Sequence, residues 1–208
     1  ADDDSLLKAG DYGAMVHKAL ELWALAKRDG ASTPIPQLVD DAGRALDLCP
    51  GGEEWRAAIS SVEHVARAFE GWTVLLAEAP FTIDAGSEGD PQLLLGYLDL
   101  LARDEHGRVC LVDYKSGGAL GSEFGLQLAL YRRAAKSVYG IDIERSYIGR
   151  VKEGAFALEA VSPVNDDEVR ATITRVRQGF VGRDSRAHAG AWCGKCGYRA
   201  APCMDYKR

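Results

Sequence analysis

Two aspartates and a lysine are the residues of this chain best placed to do chemistry together. Asp99 interrupts a stretch otherwise rich in leucine, LLLGYLDLLAR, and Asp113 and Lys115 stand two apart in RVCLVDYK. Residues two apart in a strand project from one face, so Asp113 and Lys115 share a side. If the two stretches pair as a hairpin, Asp99 comes to lie near Asp113. Two carboxylates held close together are costly unless a divalent cation neutralises them. A lysine on the same face cannot ligate that cation while protonated, but it can orient an attacking water and balance charge on a phosphate. A second group lies near the C-terminus, where Cys193, Cys196 and Cys203 form C-x2-C-x6-C, a crowding typical of a metal or iron-sulfur site. Cys49 sits in a Pro/Gly turn, and Cys110 lies in an apolar run that marks it as a buried strand residue. Five cysteines so unevenly placed do not make a secreted disulfide scaffold.

The elements that must position these groups follow from periodicity. Val16, Leu20 and Trp23 recur at helical spacing, so residues 12–28 predict an amphipathic helix with His17 beside its apolar stripe. The segment STPIPQ is expected to break it, with a second helix from Leu38 to Leu48 ending at CPGG and a third from Glu53 to about Glu70. Three strands follow as a meander: Thr73 to Ile83, which carries Glu78, then Leu93 to Arg103 and Arg108 to Tyr114, the last two joined by the turn DEHG. After a glycine-rich loop, a helix from Glu123 to Val138 sets Gln127 and Tyr131, four apart, on one face. Strands from Arg145 to Val151 and Phe156 to Val161 and a helix from Asp166 to Val181 complete the order. The expected architecture is a single α/β domain over residues 1–208, with a Cys-rich tail at residues 186–208 packed on it.

Composition bounds what such a domain can be. The chain has 208 residues, 47% of them hydrophobic, enough to bury a substantial core. Its net charge of -6 excludes a simple basic module held to nucleic acid by charge alone. The charge is uneven: residues 1–131 carry 10 basic and 22 acidic side chains, residues 132–208 carry 15 and 9. An acidic half able to hold cations beside a basic half suits an enzyme acting on a polyanion. No run of about 18 apolar residues could span a membrane, and the start ADDDSLLKAG lacks the basic, then apolar character of a secretory signal. A soluble, cytoplasmic protein with no membrane partner is expected.

In chain order, GAMVHKALE with His17, AEAPF with Glu78, GYLD with Asp99, VDYKSG with Asp113 and Lys115, and QLALY with Gln127 and Tyr131 resemble the motifs of the PD-(D/E)XK nuclease superfamily. The likeness is specifically to RecB and AddB-type nuclease domains and CRISPR-associated iron-sulfur exonucleases. It implies a restriction-endonuclease-like fold, a central mixed sheet flanked by helices. It also implies that His17, Asp99, Asp113 and the Tyr114 carbonyl ligate Mg or Mn, with Lys115 catalytic. Glu78 would be a supporting acid or extra ligand, and Gln127 and Tyr131 would line the site and touch DNA or the lysine. The three tail cysteines resemble the triplet that, with one distant cysteine, holds a 4Fe-4S cluster. The last gap here is longer than is usual, and no cysteine precedes His17. Either the chain starts downstream of that ligand or Cys49 takes its place, and a zinc site completed by His188 is the competing arrangement. The implied activity is metal-dependent exonucleolytic hydrolysis of DNA from its ends, in recombination, repair or nucleic-acid processing. Single-stranded DNA or DNA ends would be the substrate, and a helicase or a larger parent chain a partner. A structure-specific endonuclease and a nuclease-inactive DNA-binding module are the alternatives.

Overall fold

The computed structural model describes residues 9–49, 51–86, 91–116, 123–152 and 155–180. The chain divides into two compact units, residues 1–166 and 167–208. The first contains helices α1 (Ala9–Arg28), α2 (Ile35–Ala45), α3 (Gly52–Ala68) and α4 (Glu123–Tyr139), and strands β1 (Thr73–Asp84), β2 (Leu93–Arg103), β3 (Val109–Lys115), β4 (Arg145–Lys152) and β5 (Ala155–Ala160). Helix α5 (Asp166–Phe180) begins at the boundary and is the described part of the second unit.

The helix boundaries have identifiable causes. Asp11 in the first turn of α1 and Lys27 and Arg28 in its last complement the helix dipole. The expected break at STPIPQ is only half right: α2 begins at Ile35, with Pro34 as its cap residue and Pro36 inside the first turn. Proline is tolerated there because the first turn's amides have no helical acceptor. Helices α2 and α3 interlock at Gly43, where a Cβ would lie 1.9 Å from the Trp55 ring. The Trp55 indole nitrogen donates to Asp40 at 2.7 Å.

The five strands form one mixed sheet in the order β1-β2-β3-β4-β5. All neighbours are antiparallel except β3 and β4, which run parallel and are joined through α4. The β2–β3 connection is the expected tight turn, with Asp104 accepting from the amides of His106 and Arg108 and Gly107 at φ 80°. One core, including Met15, Leu20, Trp55, Leu100, Val112 and Tyr114, packs α1 to α3 on one face. The other, including Phe81, Leu98, Leu101, Leu111, Leu128 and Ile148, packs α4 on the opposite face. The expected mixed α/β sheet flanked by helices is therefore what the chain forms.

Two irregularities in this sheet make the site. In β1, Ala77 belongs to the α1 core but Ala79 to the α4 core; in β2, Leu100 belongs to the first and Leu98 to the second. Strict alternation would keep residues two apart on one face, so both strands change faces at the same step. That step is Glu78, at φ 42°, opposite Asp99 in the ladder that pairs Ala77 with Leu100 and Ala79 with Leu98. The second irregularity is that β2 and β3 pair only from Leu100 and Val112 to Arg103 and Val109. Beyond that point the strands part, while β3 stays paired with β4 as far as Lys115.

Candidate active site

Asp99 and Asp113 stand on either side of the place where β2 and β3 separate. There the Tyr114 amide finds its acceptor in a side chain, donating to Asp99 Oδ2 at 2.8 Å. Asp113 is almost fully buried, 1% exposed, and Lys115 Nζ approaches its Oδ2 at 2.7 Å. Among the described residues this ion pair is the contact that meets the Asp113 carboxylate. The carboxyl of Asp113 is pushed up to about 6 by burial and by the charge of Asp99, against the pull of Lys115. Asp99 is raised for the same first reason, burial, although the Tyr114 amide opposes it. The site thus holds two acids whose ionised forms are under strain.

His17 comes to this pair from α1. Its Nδ1 is 4.0 Å from Asp99 Oδ2, and burial together with the Lys115 charge lowers its pKa. A neutral imidazole at that distance makes neither a salt bridge nor a hydrogen bond, and it keeps a ring nitrogen able to ligate a metal. The ring is fixed by packing, edge to face with Tyr114 at 6.3 Å. Gly13, one turn earlier, lets α1 approach the end of β3: a Cβ there would lie 2.7 Å from Ser116 Oγ.

Glu78 is raised to about 7 by burial, then by Asp99 and by Glu21, with Lys18 pulling the other way. Glu21 and Lys18, paired at 2.7 Å, are therefore part of the surroundings of the site. Neither stands out in the sequence, although Glu21 lies four residues after His17 and so on its face. Gln127 donates to the Tyr131 hydroxyl at 2.8 Å. That hydroxyl is pushed up to about 12 by burial, with Asp113, Asp99 and Glu78 adding to the rise. Tyr131 also stacks edge-on with Phe81 at 5.7 Å, and Phe81 in turn covers Gly96, where a Cβ would meet its ring at 2.8 Å. Phe124 likewise gives no signal in the sequence; Lys115 Nζ lies over its ring, 5.7 Å from the centroid.

The structure thus brings His17, Glu78, Asp99, Asp113, Tyr114 and Lys115 to one place, with the Gln127–Tyr131 pair within reach of their charges. Among the described residues no three His, Cys, Asp or Glu side chains converge to a ligating set. One Asp99 oxygen is engaged by an amide, and one Asp113 oxygen faces an ammonium. Cys110 is buried in β3 as expected, its thiol pushed up to about 11 chiefly by burial. Cys49 is exposed, without a disulfide. Cys193, Cys196, Cys203 and His188 lie outside the described residues.

A family model described as the PD-(D/E)XK nuclease superfamily matches residues 1–201. No curated protein matches the chain. Among solved structures, the crystal structure of SSO0001 is similar in fold, with a TM-score of 0.50 and 13% identity over 100% of this chain and 90% of that one. At that identity the likeness speaks for the fold alone. The family match spans nearly the whole chain, including every element around the parted strands, and by it the chain belongs to the PD-(D/E)XK nuclease superfamily.

Proposed function

We propose that this protein is a metal-dependent deoxyribonuclease that hydrolyses phosphodiester bonds from DNA ends. The observation that carries the reading is the buried Asp113 carboxylate, paired with Lys115 and under the charge of Asp99 where β2 and β3 part, in a chain of a nuclease superfamily. The chemistry of the donors brought near one another suits a hard divalent cation, Mg or Mn: two strained carboxylates, a neutral imidazole at His17 and the Tyr114 carbonyl. Such an ion supplies Lewis-acid polarisation of a phosphoryl oxygen and makes water a better nucleophile. The protein's own groups do the rest. Asp99 is held in place by the Tyr114 amide, and Lys115, set against Asp113 and Phe124, balances the charge that grows on the phosphate. Glu78, held near 7, adds a carboxyl that can bind or release a proton close to neutral pH. Gln127 and Tyr131 line the α4 side.

The ordered likeness of the five motifs to RecB and AddB-type domains and to CRISPR-associated iron-sulfur exonucleases supports an exonuclease acting in DNA processing or repair, with a helicase or parent chain as partner. The same likeness supports a 4Fe-4S cluster on Cys193, Cys196 and Cys203, its fourth ligand either Cys49 or a cysteine upstream of this sequence. With Mg or Mn, linear DNA should be degraded while closed circles persist, and chelator should stop the reaction. Rapid cutting of single-stranded circles would establish an endonuclease instead. No cleavage of any DNA with either ion would defeat the nuclease reading.

A further inference from the structure

The far half of the β1–β2 hairpin carries apolar side chains that belong to neither core of the described residues. Leu93, Leu95 and Tyr97 are 66%, 76% and 58% exposed. They alternate along β2 with Leu94 and Leu98, which pack in the α4 core, so they lie together on the opposite face. Across the ladder they stand beside Asp84, Thr82 and Pro80, which are also exposed. The α1 core includes Ala77 and Leu100 but no described residue beyond Glu78 and Asp99 on these two strands. Helices α1 to α3 therefore cover this face only up to the two acids, and the exposed apolar strip begins where they stop. Asp99 and Glu78 stand at the step where the strands change faces, so the strip of Tyr97 and Pro80 begins two residues beyond them.

We infer that this strip is a shelf for the unpaired DNA strand that leads to or from the scissile bond. The inference rests on the nuclease reading and adds to it the surface, formed by Tyr97, Leu95 and Leu93, that holds an unpaired strand. Continuity selects the occupant: a chain whose phosphate sits at Asp99 and Asp113 must continue over one of the surfaces bordering them, and this one runs straight from Asp99. Successive side chains on one face of a strand are about 6.8 Å apart, close to the separation of consecutive nucleotides in an extended single strand. Aromatic and apolar side chains so spaced receive base faces in turn, and the phosphates remain in solvent. A duplex cannot use such a shelf, because its base faces are already stacked on one another. Tyr97 is the stacking residue, and Leu95 and Leu93 extend the platform.

The test compares the full chain with Tyr97→Ala and Tyr97→Phe, using oligothymidylate long enough to cover the hairpin and a thymidine dinucleotide, with Mn or Mg. All three should fold alike, because Tyr97 is largely exposed. The wild type should prefer the long oligonucleotide, read as the ratio of KM values. That preference should shrink about tenfold in Tyr97→Ala, the loss of one base stack, and should be retained in Tyr97→Phe. A wild type that cuts neither substrate would sink the nuclease reading on which the shelf depends. A wild type that cuts both, with Tyr97→Ala keeping the full preference, would sink the shelf alone. Sedimentation of Leu95→Asp is the further control: if the wild type dimerises, this variant does not and the preference survives, the strip belongs to a second copy and the inference is overturned.

Discussion

Replacing Asp113 by asparagine should make the metal-free protein more stable while ending its activity. The carboxyl is held at about 6 against an ordinary value of 3.8. Burial and the neighbouring Asp99 outweigh the help given by Lys115, so that help is already counted in the net effect. A carboxyl raised in the folded state contributes stability that is fully present below its ordinary pKa. That stability is lost as the pH climbs from 3.8 to about 6. Above that range the ionised side chain costs the fold up to roughly 3 kcal/mol, with little solvent screening because it is 1% exposed. An asparagine side chain keeps the shape and cannot ionise, so the variant escapes the cost. For a chain of this length a gain of about 3 kcal/mol raises the melting temperature by roughly 6–12 °C. Near pH 5 the gain should fall to roughly half, because the parent is then largely protonated. Thermal denaturation in chelator at pH 8 and at pH 5 reads both values, and saturating Mn should reverse the order by stabilising only the parent. An Asp113→Asn variant that melts below its parent in chelator at pH 8 would show a carboxylate already satisfied by the protein. The argument for a cation there would then fail.

Other perturbations separate catalysis, fold and cluster. Lys115→Ala should lose nearly all cleavage yet still gain melting temperature with Mn, because the lysine is not a ligand; loss of the Mn response would move it into the binding set. Gly43→Val should cost about 1–3 kcal/mol by urea denaturation, because a Cβ at that position lies 1.9 Å from the Trp55 ring, and a neutral result would mean that α2 and α3 do not interlock as described. Anaerobically purified protein should contain iron and absorb broadly in the visible; Cys193→Ser should bleach it, and Cys49→Ser should do so if the fourth ligand lies within this chain. Retained colour in Cys49→Ser would exclude that residue as the fourth ligand, and stoichiometric zinc without iron would exclude the cluster.

What is legible in the sequence is the set of elements, because hydrophobic period and turn chemistry are local. The DEHG turn reads directly, since Asp104 and Gly107 do there what those residue types do in any tight turn. Asp99 is legible for a different reason: a carboxylate among leucines must be accounted for by something nearby. Glu21 and Lys18 are not, because an acid and a base three apart on a helix look the same whether they face water or an active site. The start of α2 is hidden because Pro36 reads as a breaker, whereas in a first turn it costs no hydrogen bond.

The geometry that matters most leaves no mark in the pattern. LLLGYLDLLAR is apolar on both faces, so a change of face at Asp99 alters no hydrophobic alternation that could be read. Glu78 at φ 42° is equally silent, since nothing about a glutamate announces a left-handed backbone. Yet these two residues turn both strands at one step, and the parting of β2 from β3 begins at the same place. The Tyr114 amide is thereby left without a strand partner and is taken up by the Asp99 side chain. The break in the ladder is what admits a polar cluster to the sheet at the point where the cover of α1 to α3 ends. Restoring a regular ladder at Asp99 would remove the site along with the irregularity.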